Sequence, residues 1–192
     1  MPRQSALRLE DRIFPTESYL KIGTAVLPVH TTPYGALFSG DCMAVLPHIR
    51  DAVVDTVFAD PPFNLGKEYG ENCNDLLPDG HYLSWCMRWI AECVRTLKPG
   101  GAFFLYNLPK WNVLLGAYLA SLKMDFRHWI AIEISACLPM PGRLHPSHYS
   151  LLYYTKGKPK QARRNNMVIL AWEESGNSTR RGTLTSPCSA LP

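Results

Sequence analysis

The chain has 192 residues, of which 46% are hydrophobic, 19% charged and 11% aromatic. That apolar share excludes general disorder, because one core of domain size offsets the entropy of ordering the backbone. No apolar run approaches the roughly 20 residues that span a bilayer, and the first residues, MPRQSALRLEDRIF, lack the apolar stretch of a signal peptide. A cytoplasmic protein without a membrane partner is the expectation. The net charge of +4 is unevenly placed. Lys156, Lys158, Lys160, Arg163, Arg164, Arg180 and Arg181 are opposed after residue 155 only by Glu173 and Glu174, which leaves residues 1–155 near neutral. A basic tail suits a polyanion such as nucleic acid, although the simpler account of the tail alone is a solvated, disordered end.

Residues 1–35, broken by Pro15, Pro28 and Pro33, read as an N-terminal arm with weak elements. Ala36-Leu37-Phe38 reads as a short strand ended by Ser39-Gly40-Asp41, and 42–49 as a short helix with Met43, Leu46 and Ile49 on one face. The run 53–59 is β-branched and mostly apolar, as a buried parallel strand should be, and stops at Asp60-Pro61-Pro62-Phe63. In 81–97 the positions of Tyr82, Trp85, Cys86, Trp89, Ile90, Cys93, Val94 and Leu97 follow helical spacing, with Arg88, Glu92 and Arg95 opposite. Lys98-Pro99-Gly100-Gly101 is expected to end that helix, and 102–106 to form a second buried strand. A helix over 111–122 and strands over 126–134 and 149–155 complete the pattern. Trp85, Trp89, Phe103, Phe104 and Tyr106 are expected in the core.

This alternation predicts an α/β fold, a mostly parallel sheet with an antiparallel hairpin at its edge. The division expected is an arm at 1–35, a catalytic part at 36–158 and a basic, disordered tail at 159–192, with 161–192 staying off the sheet. Cys86 and Cys93 lie seven apart on one helical face and, with no Cys-x-x-Cys pair in the chain, read as buried thiols. His145 and His148 lack further Cys or His partners, so no metal site is expected.

In open sheets, ligands bind beyond the carboxyl ends of the strands, where Asp41 and Asp60-Pro61-Pro62-Phe63 are expected. Each proline fixes its own φ and restricts the residue before it, so the turn is stiff and short of two N–H donors. Carbonyl acceptors, one carboxylate and an aromatic face remain. That set suits a planar amino group on an aromatic ring. The carboxylate and a backbone carbonyl accept both N–H hydrogens, Phe63 stacks on the ring, and the nitrogen lone pair leaves conjugation and becomes a better nucleophile.

At these residues the sequence resembles the amino-methylating DNA methyltransferases, which act on adenine N6 or cytosine N4 with S-adenosylmethionine. The Asp60-Pro61-Pro62-Phe63 motif is similar to their catalytic motif. Gly40-Asp41-Cys42 before it, Asn64-Leu65-Gly66 after it, Lys98-Pro99-Gly100-Gly101 and the strand Ser150-Leu151-Leu152-Tyr153-Tyr154-Thr155-Lys156 fit in order. The resemblance covers about 36–158. It implies a class I, Rossmann-like methyltransferase sheet of the permuted, β-type order, with the catalytic half first. It further implies catalysis by Asp60, Pro61, Pro62 and Phe63, cofactor contacts from Asp41, Asp60 and Asn64, and DNA as partner. Asp41 reads equally as the cap of its own helix, and Asn64 as lining the same pocket. Lys67, Glu68 and Tyr69, and Arg143, His145 and His148, fall in loops where a solvated role stands beside contact with DNA.

Asp at the head of the motif favours adenine N6, since the family's cytosine members more often begin it with Ser. The family's glycine-rich cofactor loop has no counterpart, as the chain contains no Gly-x-Gly, and 161–192 departs from the family pattern. The expectation is therefore an incomplete fold, with the cofactor-binding half missing or supplied by a separate polypeptide. The alternative is an inactive remnant with weak DNA binding.

Overall fold

The computed structural model describes residues 13–66, 76–134, 142 and 148–159, and the backbone of 167–171. Strands β1 (His30–Thr32) and β2 (Gly35–Leu37) form an antiparallel hairpin of their own. Thr32 Oγ1 accepts from the amides of Tyr34 and Gly35, each at 3.2 Å, and so closes the turn. The strand expected at 36–38 therefore exists but does not open the main sheet. Helix α1 (Cys42–Val45) gives way to a 3-10 turn at Leu46–His48 rather than running on to residue 49. Pro47 has no N–H with which to continue the helical ladder.

The remaining elements are β3 (Val54–Asp60), α2 (Asp79–Thr96), β4 (Leu97–Asn107), α3 (Pro109–Ser121), β5 (Asp125–Glu133), β6 (His148–Thr155) and β7 (Met167–Ala171). Their sheet has the order β5-β6-β4-β3-β7. β3 runs parallel to both β4 and β7, whereas β6 runs antiparallel to both β4 and β5. The edge hairpin of β5 and β6 is as expected, but the sheet is mixed rather than mostly parallel in its pairings. The cause is that β6 inserts between β4 and β5, so the hairpin brings a second antiparallel ladder with it.

A second correction concerns the tail. Residues 167–171 pair in parallel with β3, from Thr56↔Met167 to Asp60↔Ala171, so part of the segment expected to stay off the sheet belongs to it. A third concerns 98–101. β4 begins at Leu97, directly after α2, and the glycines lie inside the strand. The register runs from Val54↔Leu97 to Thr56↔Ala102, so Lys98-Pro99-Gly100-Gly101 bulges while β3 advances by two residues. Lys98 Nζ sits 2.9 Å from the Asp55 carboxylate across that bulge. A Cβ on Gly101 would lie 2.9 Å from Lys98 O and 3.0 Å from Asp55 O, which only glycine avoids.

The core lies on one face of the sheet. Val57, Ala59, Phe103, Leu105, Leu152 and Tyr154 pack there against Cys86, Trp89 and Ile90 of α2 and Leu115 and Leu119 of α3. Each large apolar side chain buried in this way contributes about 1.5–3 kcal/mol. The alternate residues Phe58, Phe104, Tyr106, Leu151 and Tyr153 face the other way and are half-buried. Phe104 and Tyr106 therefore leave the expected core, and Phe104 stacks on Tyr153 instead, ring centroids 4.7 Å apart. Among the described residues no helix is long and apolar enough to cross a membrane.

Candidate active site

β3 lies between two parallel neighbours, and its carboxyl end delivers Asp60 directly into the proline turn. Burial away from water pushes the Asp60 carboxyl up from 3.8 to about 6. Pro61 is buried, and neither it nor Pro62 has an N–H to offer. The next two carbonyls are satisfied by side chains from the helix layer. Tyr82 Oη donates to Pro62 O at 2.6 Å, and Trp111 Nε1 donates to Phe63 O at 2.9 Å. Asn107 Nδ2, at the end of β4, donates in turn to Tyr82 Oη at 2.9 Å. Among the described residues this leaves the Asp60 carboxylate and the Pro61 carbonyl as the open acceptors of the turn.

Phe63 stands among rings. Its centroid is 5.5 Å from that of Tyr106 and 5.4 Å from that of Tyr149, and those two are 5.4 Å from each other. The three aromatics come from the turn after β3, the end of β4 and the start of β6. The sheet topology thus gathers them at the carboxyl end of β3, which also carries Asp60.

Asn64 and Asp41 take different roles from Asp60. Asn64 adopts φ 57°, a left-handed conformation that Asn tolerates, and is buried. Its Nδ2 donates to Leu77 O at 2.8 Å and its Oδ1 accepts from Leu77 N at 2.7 Å, so both polar atoms close the loop between the turn and α2. That is a structural use of the side chain, next to the pocket it was expected to line. Asp41 is exposed and accepts from Met43 N at 2.8 Å, as the N-cap of α1. It follows β2, outside the main sheet, and not a strand end of that sheet. Burial raises the thiols of Cys42 and Cys86 to about 11 and about 12, so both are protonated, Cys86 inside the core and Cys42 at its margin. Lys67, Glu68, Tyr69, Arg143 and His145 lie outside the described residues, whereas His148 begins β6. Among the described residues no three His, Cys, Asp or Glu side chains group to hold a metal.

The sequence reading missed the roles of Tyr82, Asn107 and Trp111. Tyr82 and Trp111 were visible only as apolar members of their helices. The available signal was a hydroxyl and an indole N–H on faces otherwise able to be wholly apolar, since such groups find acceptors when buried.

Residues 54–187 match the N6_N4_Mtase family, described as DNA methylase. The match includes β7 and so extends past the point where the sequence seemed to leave the family pattern. Over 136 residues the chain is 50% identical to Type II methyltransferase M.BamHI of Bacillus amyloliquefaciens, covering 70% of this chain and 32% of that protein. Over 125 residues it is 30% identical to Type II methyltransferase M.HpaI of Haemophilus parainfluenzae, covering 65% of this chain and 40% of that protein. The chain thus spans about a third of the length of the first relative and two fifths of the second. In fold it is similar to a solved PvuII DNA methyltransferase (cytosine-N4-specific), with a TM-score of 0.58, 18% identity, and coverage of 82% of this chain and 63% of that one. The family uses S-adenosylmethionine.

Proposed function

The chain belongs to the N6/N4 DNA methylase family, and on that premise we propose that it transfers a methyl group from S-adenosylmethionine to an exocyclic amino group of a DNA base, adenine N6 in the first instance. The observation that carries this reading is the half-buried Asp60 carboxyl on a proline-stiffened turn beside Phe63. The donor set suits the cofactor as well as the base. A sulfonium cation is attracted by a carboxylate and by aromatic faces, and Asp60, Phe63, Tyr106 and Tyr149 supply both. Asp41, exposed and capping α1 through Oδ1, has its other carboxylate oxygen for the adenosine part.

When bound, S-adenosylmethionine supplies an electrophilic methyl group on sulfur. The chain's residues do the rest. The target base leaves the duplex, because an amino group inside the stack is out of reach. Phe63 then stacks on the base, with Tyr106 and Tyr149 bracing it. The Asp60 carboxylate accepts one N–H and the Pro61 carbonyl the other, which frees the nitrogen lone pair. With the methyl group that the sulfonium would supply, the amino nitrogen would become cationic, and Asp60 would accept its proton. A carboxyl with a pKa of about 6 then releases it to water near neutrality.

The leading Asp of the motif supports adenine over cytosine. A runner-up, an inactive remnant with weak DNA binding, draws on the excess of basic residues after position 155. The two separate on one experiment with the purified chain, duplex DNA and S-adenosylmethionine labelled in its methyl group. Label in DNA supports the enzyme. No label in DNA, together with no photocrosslinking of the cofactor to the chain, supports the remnant.

A further inference from the structure

We propose that Tyr82 and Trp111 are positioning residues for the reaction at Asp60, each holding one carbonyl of the Asp-Pro-Pro-Phe turn from the helix layer. The proposal rests on the methyl-transfer reading above. Two consecutive prolines leave the turn with carbonyls and too few N–H groups to satisfy them locally, so buried carbonyls need donors from elsewhere. Tyr82 lies in the first turn of α2 and Trp111 in the first turn of α3. They reach Pro62 O at 2.6 Å and Phe63 O at 2.9 Å. Their side chains are 1% and 2% exposed, and the ring centroids are 4.7 Å apart.

Asn107 sets the direction of the first bond. It is fully buried at the end of β4, and its Oδ1 accepts from Leu108 N at 2.7 Å, which fixes the amide. Its Nδ2 therefore points to Tyr82 Oη, at 2.9 Å, and a hydroxyl that accepts there turns its one proton toward Pro62. A helix face that served only to fill the core would do so with Phe at position 82, without burying a hydroxyl that costs stability unless it is bonded. Instead α2, α3 and β4 converge on consecutive carbonyls between the acid and the stacking ring. Methyl transfer in line with a fixed amine tolerates little displacement, and a shift of about 1 Å costs on the order of 100-fold in rate.

Tyr82→Phe keeps the ring against Trp111 and removes only the hydroxyl. With the full chain, S-adenosylmethionine and duplex DNA, it should lower kcat by roughly 10- to 100-fold while leaving the KM for cofactor and DNA unchanged. Leu119→Ala, in the last turn of α3, serves as the comparison. It lowers the melting temperature and leaves kcat in place. An unchanged kcat in Tyr82→Phe overturns the proposal, and so does an equal fall in Leu119→Ala. A second readout needs no turnover. Releasing the turn hydrates the Asp60 carboxylate, so its titration followed by carbon-13 NMR should move down from about 6 in Tyr82→Phe. If the wild-type chain methylates nothing, a moved midpoint keeps the positioning role while the methyl-transfer reading falls. An unmoved midpoint then removes both. Should Tyr82→Phe fail to fold, Trp111→Phe carries the same readouts for the Phe63 carbonyl.

Discussion

At the scale of the residue, Asp60 combines two demands that pull in opposite directions with pH. Its carboxyl titrates near 3.8 in the unfolded chain and near about 6 in the folded one, because burial disfavours the charge. Between those values the native state holds more protons than the unfolded state, so stability falls as pH rises through about 4 to 6. Asp60→Asn removes that slope and should be the more stable protein at pH 7, as read by urea midpoints at pH 4 and pH 7. Activity runs the other way, since the carboxylate is the form that accepts N–H. kcat/KM should rise with pH to a plateau, half-maximal near 6, and a flat profile between pH 5 and 8 would count against the role. The acid and the prolines were legible in sequence because their chemistry is local. The bonds of Asn64 were not legible there, because its partner, Leu77, is thirteen residues away, and only the folded loop shows that both amide atoms are engaged.

At the scale of the element, α2 and the strand after it show what periodicity conveys. The apolar stripe of Tyr82, Cys86, Trp89, Ile90 and Cys93 located the helix and its buried face correctly. The Lys-Pro-Gly-Gly run, which reads as a helix stop, is instead a bulge inside β4, and Thr96 ends the helix. Besides the amides of Ala52 and Val53, which bond Arg95 O and Thr96 O, Lys156 beyond β6 holds that helix end. Its Nζ donates to Val94 O at 2.7 Å and to Leu97 O at 2.8 Å, filling carbonyls that no later turn satisfies and facing the negative end of the helix dipole. Lys156→Met keeps the stem and removes the donors. It should lower unfolding free energy by about 1–3 kcal/mol in chemical denaturation, and a change within about 0.3 kcal/mol would show that water replaces the ammonium. Nothing in the sequence joins position 156 to positions 94 and 97 without the sheet pairing of β4 and β6.

At the scale of the whole molecule, the sheet order puts β3 inside and draws three aromatic rings to its carboxyl end. The alternation of helices and strands announced the α/β class. It did not announce β7, because an apolar pentapeptide between Arg163-Arg164 and Glu173-Glu174 looks like tail composition until β3 is seen to need a second neighbour. A chain ending at residue 160 would leave β3 as an open edge. It should melt at lower temperature than the 192-residue chain and aggregate more readily, and an unchanged midpoint would mean that β7 contributes no stability. The central claim, that the Asp60 turn methylates an amino group of a DNA base, is tested most directly by mass spectrometry of nucleosides. DNA is incubated with saturating S-adenosylmethionine and either wild-type chain or Asp60→Ala, then digested and analysed. The account predicts N6-methyladenine from the wild type and none from Asp60→Ala. N4-methylcytosine in its place would move the base and leave the mechanism. Equal methylation by both proteins, methylation at a ring carbon, or no methylated base from the wild type would contradict it.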